Sequence, residues 1–116
     1  MAQLKELVCI PCSGNLPPMS ETEIIEFKPQ IPDWKIVKEN EENRLQRVYF
    51  FSDFKSALAF SQCVGEEAEI MGHHPAILTE WGKVTVTWWT HAIGGLHRND
   101  FIMAARTDAL AIRSRQ

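Results

Sequence analysis

Residues 44–72, RLQRVYFFSDFKSALAFSQCVGEEAEIMG, contain the change of period that decides the fold of this chain. From Arg44 to Phe51 the pattern alternates, with Leu45, Tyr49 and Phe51 on one face beside Arg47. Period-2 alternation with aromatics describes a half-buried strand. Arg47 is expected to lay its aliphatic stem along that face and carry its charge outward. Ser52 or Asp53 then supplies an N-cap, and Phe54, Ala57, Leu58, Phe60, Ser61, Val64 and Ala68 recur at helical spacing. A stripe of that width can pack one helix face on a sheet. Gly65 weakens the helix interior by up to ~1 kcal/mol relative to alanine and marks a candidate close approach. Gly72 stands where a left-handed C-terminal cap belongs, and Pro75 follows shortly after.

Working toward the N-terminus, Lys38 to Asn43 is a charged turn and Trp34 to Val37 a first strand. Ser20 and Glu23 have capping-box spacing for a short helix toward Phe27, stopped by Pro29 and Pro32. Residues 1–19 are expected to form an arm, leaving 20–116 as a single domain. Working toward the C-terminus, Ile77 to Trp81 and Lys83 to Thr90 form a hairpin around Gly82. Val84, Val86 and Trp88 share one strand face; Thr85, Thr87, Trp89 and His91 share the other. After Gly94-Gly95 a last helix runs from about Arg98 to Ile112, with Phe101, Ala104, Ala105, Asp108 and Ile112 as its inward stripe. The order helix, strand, strand, helix, strand, strand, helix predicts an α+β layer arrangement with the helices over one face.

A length of 116 residues fits one compact domain. Hydrophobic and charged contents of 45% and 23% set aside disordered and fibrous classes. A net charge of −3 argues against a nucleic-acid binder, which usually carries a basic stripe. No apolar run approaches the ~20 residues that cross a bilayer. The opening Met-Ala-Gln-Leu-Lys-Glu lacks the pattern of a signal peptide, so a cytoplasmic location is expected. Cys9, Cys12 and Cys63 are an odd set for a secreted disulfide framework. Cys9 and Cys12 supply only half of a tetrahedral zinc site, and the pair is expected to be non-catalytic.

His73-His74-Pro75, followed by His91 and Asp100, concentrates proton-transfer chemistry. Histidine titrates near neutral pH, so three together suggest acid/base work. A metal site of His73, His91 and a carboxylate is the alternative, although adjacent histidines in extended backbone point to opposite sides. A structural role, capping the helix end or filling the core, is the third reading.

Glu69-x-x-x-His73-His74-Pro75, then Trp81, His91 and Asp100, resembles the signature of the pterin-4a-carbinolamine dehydratases. Leu45, Arg47, Tyr49, Phe51, Asp53-Phe54, Ala57, Phe60, Thr90-His91 and Gly95-Leu96 extend the likeness over roughly Trp34 to Leu110. The resemblance implies a four-stranded antiparallel sheet with helices on one side, assembling as a homodimer or homotetramer. It implies loss of water from 4a-hydroxytetrahydrobiopterin to give quinonoid dihydropterin, in tetrahydrobiopterin recycling beside an aromatic amino-acid hydroxylase. Neither a metal nor an organic cofactor is implied, nor a nucleic-acid or membrane partner. By the same likeness His73 and His91 form the acid/base pair and His74 binds and orients the pterin. Glu69 and Asp100 hold imidazoles in a useful tautomer, and Trp81 forms an aromatic wall. His97 stands where relatives usually carry Ser or Thr to cap the last helix, leaving a looser start or a cap through its ring nitrogen. Ile77 replaces an aromatic common in relatives, for which Trp89 is the candidate substitute. An accessory pterin role, for instance near molybdenum-cofactor metabolism, and a non-catalytic dimerisation module are the alternative functions.

Overall fold

The computed structural model describes residues 3–7, 9 and 19–114. The Cys12 half of the cysteine pair lies outside the described residues. Asp53 is the N-cap of helix α2 (Phe54–Met71), accepting from the Ser56 N–H at 2.7 Å. That hydrogen bond holds the Asp53 carboxyl below its ordinary pKa. Gly72 ends the helix at φ 66°, a left-handed conformation open to glycine without steric cost. The helix buries Ala57, Phe60, Ser61, Val64 and Ala68, the periodic face of the sequence. Gly65 has nothing within 4 Å of where a Cβ would stand, so the expected close approach is absent.

Strands β1 (Lys35–Glu39), β2 (Glu42–Phe50), β3 (Ala76–Glu80) and β4 (Lys83–Trp88) form one antiparallel sheet in the order β1-β2-β4-β3. The chain leaves β2 for α2, returns as the edge strand β3, and inserts β4 beside β2. The expected six-residue turn between β1 and β2 contracts to Asn40 and Glu41, both at positive φ (52° and 64°). A two-residue turn of that hand matches the strand twist and lets both strands run further. In the second hairpin, Gly82 is a close approach: its carbonyl accepts from the Phe51 N–H at 2.8 Å, and a Cβ there would sit 3.0 Å from Phe51 O.

One sheet face carries Leu45, Tyr49, Val84, Val86 and Trp88, all at most 1% exposed. Helices α2 and α3 (Arg98–Ser114) cover it, with Phe60, Phe101, Ile102 and Met103 filling the core. Each such side chain contributes about 1.5–3 kcal/mol on burial. The opposite face leaves Val48, Phe50 and Leu78 exposed. Helix α1 (Glu21–Phe27) has the reciprocal Ser20–Glu23 capping box read from the sequence. Leu4, in a short turn of 3-10 helix (Leu4–Glu6), is 1% exposed and belongs to the core. Arg106 fastens the same segment, donating to Leu7 O through Nε and Nη2 while Nη1 pairs with Glu67 at 2.8 Å. No described helix is long and apolar enough to cross a membrane.

Two expectations about side chains need correction. Arg47 does more than snorkel: its Nη1 pairs with Asp108 Oδ1 at 2.7 Å, where Trp34 Nε1 also donates at 3.0 Å. Tyr49 donates its hydroxyl to the same oxygen, and burial, reinforced by the Asp108 charge, pushes its pKa far above the phenol range. Ile112 is not on the inward stripe; it is 63% exposed, and Ala111 is buried instead. Asp108→Ala leaves three donors facing one missing acceptor, two of them carried by core aromatics. Removing one partner of a buried charged pair costs about 3–5 kcal/mol. Chemical denaturation of Asp108→Ala is expected to show a loss of about 3 kcal/mol, discounted to the low end because the site is partly wet.

Candidate active site

The turn at Gly72 delivers the first histidine. His73 N–H reaches back to Ala68 O at 3.1 Å, tying the residue to the helix end. The His73 ring lies parallel to the indole of Trp88, with centroids 5.7 Å apart and planes at 9°. Its Nε2 meets Asp100 Oδ1 at 2.6 Å, and the side chains are 11% and 0% exposed. His74 has a partner of its own. Its Nε2 meets Glu69 Oε1 at 2.5 Å on the surface, where the two side chains are 62% and 77% exposed. Each of the double histidines therefore has its own carboxylate, one buried and one wet.

Asp100 sits in the first turn of α3 and receives two further donors on Oδ2: Thr90 Oγ1 and the His97 backbone N–H, both at 2.9 Å. A carboxylate that only accepts makes His73 Nε2 the donor, leaving Nδ1 as a lone-pair acceptor. His97 precedes the helix and caps through its ring: Nδ1 accepts from Asn99 N–H at 3.0 Å. Burial lowers the His97 pKa, which favours the neutral ring that such an acceptor requires. Of the two readings of His97 open in the sequence, the ring-nitrogen cap is the one observed.

His91 opens a short 3-10 turn (His91–Ile93) beyond β4. Its side chain is 88% exposed, with Nδ1 at 3.5 Å from Glu42 Oε2. A cavity of about 560 Å³ is bordered by His73, His74, His91, Thr90, Trp89 and Cys9, among others. The adjacent His73 and His74 and the sequence-distant His91 thus border one hollow, with Asp100 bonded to His73 and Glu69 to His74. Trp81 is not brought to it; the indole stands 73% exposed at the β3–β4 turn. The tryptophan at the cavity is Trp89, while Ile77 packs against the core. Burial pushes the Cys9 thiol up to about 11, so it stays protonated at neutral pH, and it donates to Asn99 O at 3.9 Å. Among the described residues no three of His, Cys, Asp and Glu converge as a metal-ligand set.

Residues 17–110 match the model of the family described as Pterin 4 alpha carbinolamine dehydratase. The chain belongs to that family. A relative in Chlorobium limicola, provisionally named pterin-4-alpha-carbinolamine dehydratase, is 54% identical over 110 residues, covering 95% of this chain and 97% of its own. One from Nitrosococcus oceani with the same provisional name is 56% identical over 110 residues, with the same coverage of 95% and 97%. Among solved structures, a transcriptional coactivator/pterin dehydratase from Brucella melitensis superposes with TM-score 0.72 at 29% identity, over 81% of this chain and 98% of its own. A pterin dehydratase-like RuBisCO assembly factor of the alpha-carboxysome gives TM-score 0.58 at 24% identity, over 68% of this chain and 89% of its own. At that identity the likeness is one of fold.

Two residues of the candidate site carry no role in the sequence reading. Thr90 was visible only as the neighbour of His91, and Glu42 was hidden in a charged run. The Thr90 hydroxyl is one of three donors on a buried carboxylate, and hydrogen bonds to charged groups contribute about 1.5–3 kcal/mol. Thr90→Val is therefore expected to lower unfolding free energy by about 2 kcal/mol in urea titration, whereas Thr90→Ser retains most of it.

Proposed function

We propose that the chain catalyses dehydration of a 4a-hydroxytetrahydropterin, 4a-hydroxytetrahydrobiopterin by the family's chemistry, to the quinonoid dihydropterin. The reading is carried by one observation: His73, His74 and His91 face one cavity, with His73 bonded at 2.6 Å to a fully buried carboxylate. The reaction breaks the C4a–O bond as the N5 lone pair forms C4a=N5. The hydroxyl leaves as water after gaining a proton, and a pterin nitrogen gives one up. Electrons balance within the substrate, so no oxidant or reductant enters.

His73 is the base. Asp100 occupies Nε2–H, steadies the imidazolium that forms, and leaves Nδ1 to take the proton, the division of labour seen in other carboxylate-histidine pairs. His91, at the solvent side of the cavity, protonates the departing hydroxyl. His74 orients the pterin, with Glu69 fixing its ring. The aromatic wall falls to Trp89 rather than Trp81, by its position at the cavity. The family likeness supports a role in tetrahydrobiopterin recycling with an aromatic amino-acid hydroxylase, in the cytoplasm and as a homodimer or homotetramer. The exposed Val48, Phe50 and Leu78 on the uncovered sheet face support self-association.

A non-catalytic module is the second reading, favoured by the coactivator in the name of the Brucella melitensis protein. The assembled histidine cavity weighs for the enzyme. In the test, 4a-hydroxytetrahydropterin is generated in situ and its absorbance decay followed. Wild type is expected to accelerate the decay, and His73→Ala and His91→Ala each to lose about 10²–10⁴-fold. A wild-type rate equal to buffer overturns the enzyme. Unchanged activity in chelator is the expected result, and its loss would restore the metal alternative.

A further inference from the structure

His73 and His74 each have a carboxylate supplied by the His-His-Pro signature, but Asp100 and Glu69 are then both engaged. We propose that Glu42 is the positioning residue of His91: its carboxylate fixes which ring nitrogen faces the cavity. The inference rests on the catalytic reading of His91 given above.

Sheet register brings the two residues together. Leu45 pairs with Trp88 across β2 and β4. Continuing that antiparallel register beyond the last β4 residue sets Arg44 against Trp89 and Glu42 against His91. The side chains follow the same order. The Arg44 guanidinium stacks over the Trp89 ring, 4.0 Å from its centroid, and Glu42 Oε2 lies 3.5 Å from His91 Nδ1. Glu42 also underlies the turn that ends in Gly94, whose position for a Cβ is 4.0 Å from the same oxygen.

Glu42 is not a loose surface acid. Its side chain is 15% exposed, and an acid so shielded needs fixed partners. Arg44 Nη2 holds Oε1 at 3.2 Å, and Arg44, itself 12% exposed, is held by Glu39 at 3.1 Å and by the Trp89 face. One Glu42 oxygen is thus occupied, and the other is presented to His91. The His91 ring is 88% exposed and would otherwise turn freely. A separation of 3.5 Å is an ion-pair distance slightly beyond a hydrogen bond, and catalytic hydrogen bonds are often long before substrate binds.

The consequence is chemical rather than energetic, because an exposed pair contributes little stability. A carboxylate beside Nδ1 selects the Nδ1–H tautomer and leaves Nε2 for the cavity. In the protonated ring it is then Nε2–H that reaches the departing hydroxyl. His73 is held by Nε2 and works through Nδ1; His91 is held by Nδ1 and works through Nε2. The titratable groups around His91 are Glu42 on β2 and, at the same cavity, His73, His74 and the Cys9 thiol.

Glu42→Gln keeps the shape and removes the acceptor-only group. Loss of the carboxylate that orients a metal-ligating histidine costs about 10–100-fold, and the same order is expected here in kcat with KM little changed. Long-range ¹H–¹⁵N correlation should show His91 chiefly as Nδ1–H in the wild type and as a mixture with Nε2–H in Glu42→Gln. A merely structural role would not move that signature. A wild-type kcat or an unaltered tautomer in Glu42→Gln overturns the inference. Full activity in His91→Ala would instead overturn the catalytic reading beneath it.

Discussion

The carboxylate of Asp100, at zero exposure, is the constraint on which the arrangement of this molecule turns. A carboxylate taken wholly out of water needs hydrogen-bond donors to offset its desolvation. Here the donors come from three parts of the chain: His73 after α2, Thr90 after β4, and the His97 N–H at the start of α3. Satisfying one buried acid therefore fixes the end of a helix, the end of a strand and the start of another helix relative to one another. The cavity lies at that junction. The same bond that completes the packing commits one nitrogen of His73, Nε2, to Asp100.

Much of this could be read from the amino acids because the signals were local. The switch from period 2 to period 3.6 at Asp53, the αL glycine at 72, and the capping spacing of Ser20 and Glu23 each report on a few neighbouring residues. Local chemistry decides them, and the structure agrees. The four-stranded sheet with helices over one face followed from element order together with the family likeness.

What escaped the sequence depended on register and distance. Arg47 looked like a snorkelling surface cation because Asp108, its partner, is 61 residues away. Glu42 looked like one more acid in a charged turn, because only the pairing of β2 with β4 sets it beside His91. The signature spacing gave the aromatic wall to Trp81, and Trp89 entered only as a substitute for the aromatic absent at Ile77. The tight turn at Gly82 sends Trp81 to the surface and leaves Trp89 at the cavity. His97 lacked the hydroxyl of a usual cap, yet an imidazole nitrogen kept neutral by burial serves as the acceptor.

The central claim is that Asp100 acts through His73, holding its tautomer while the free nitrogen moves a proton. The direct measurement is the dehydration rate of Asp100→Asn alone and combined with His73→Ala. An amide in place of the carboxylate cannot accept from all three donors, so the account predicts a loss comparable to that of His73→Ala. Because both residues act as one unit, the double variant should be no slower than His73→Ala. A folded Asp100→Asn enzyme that keeps the wild-type rate, or losses that multiply in the double variant, would contradict it.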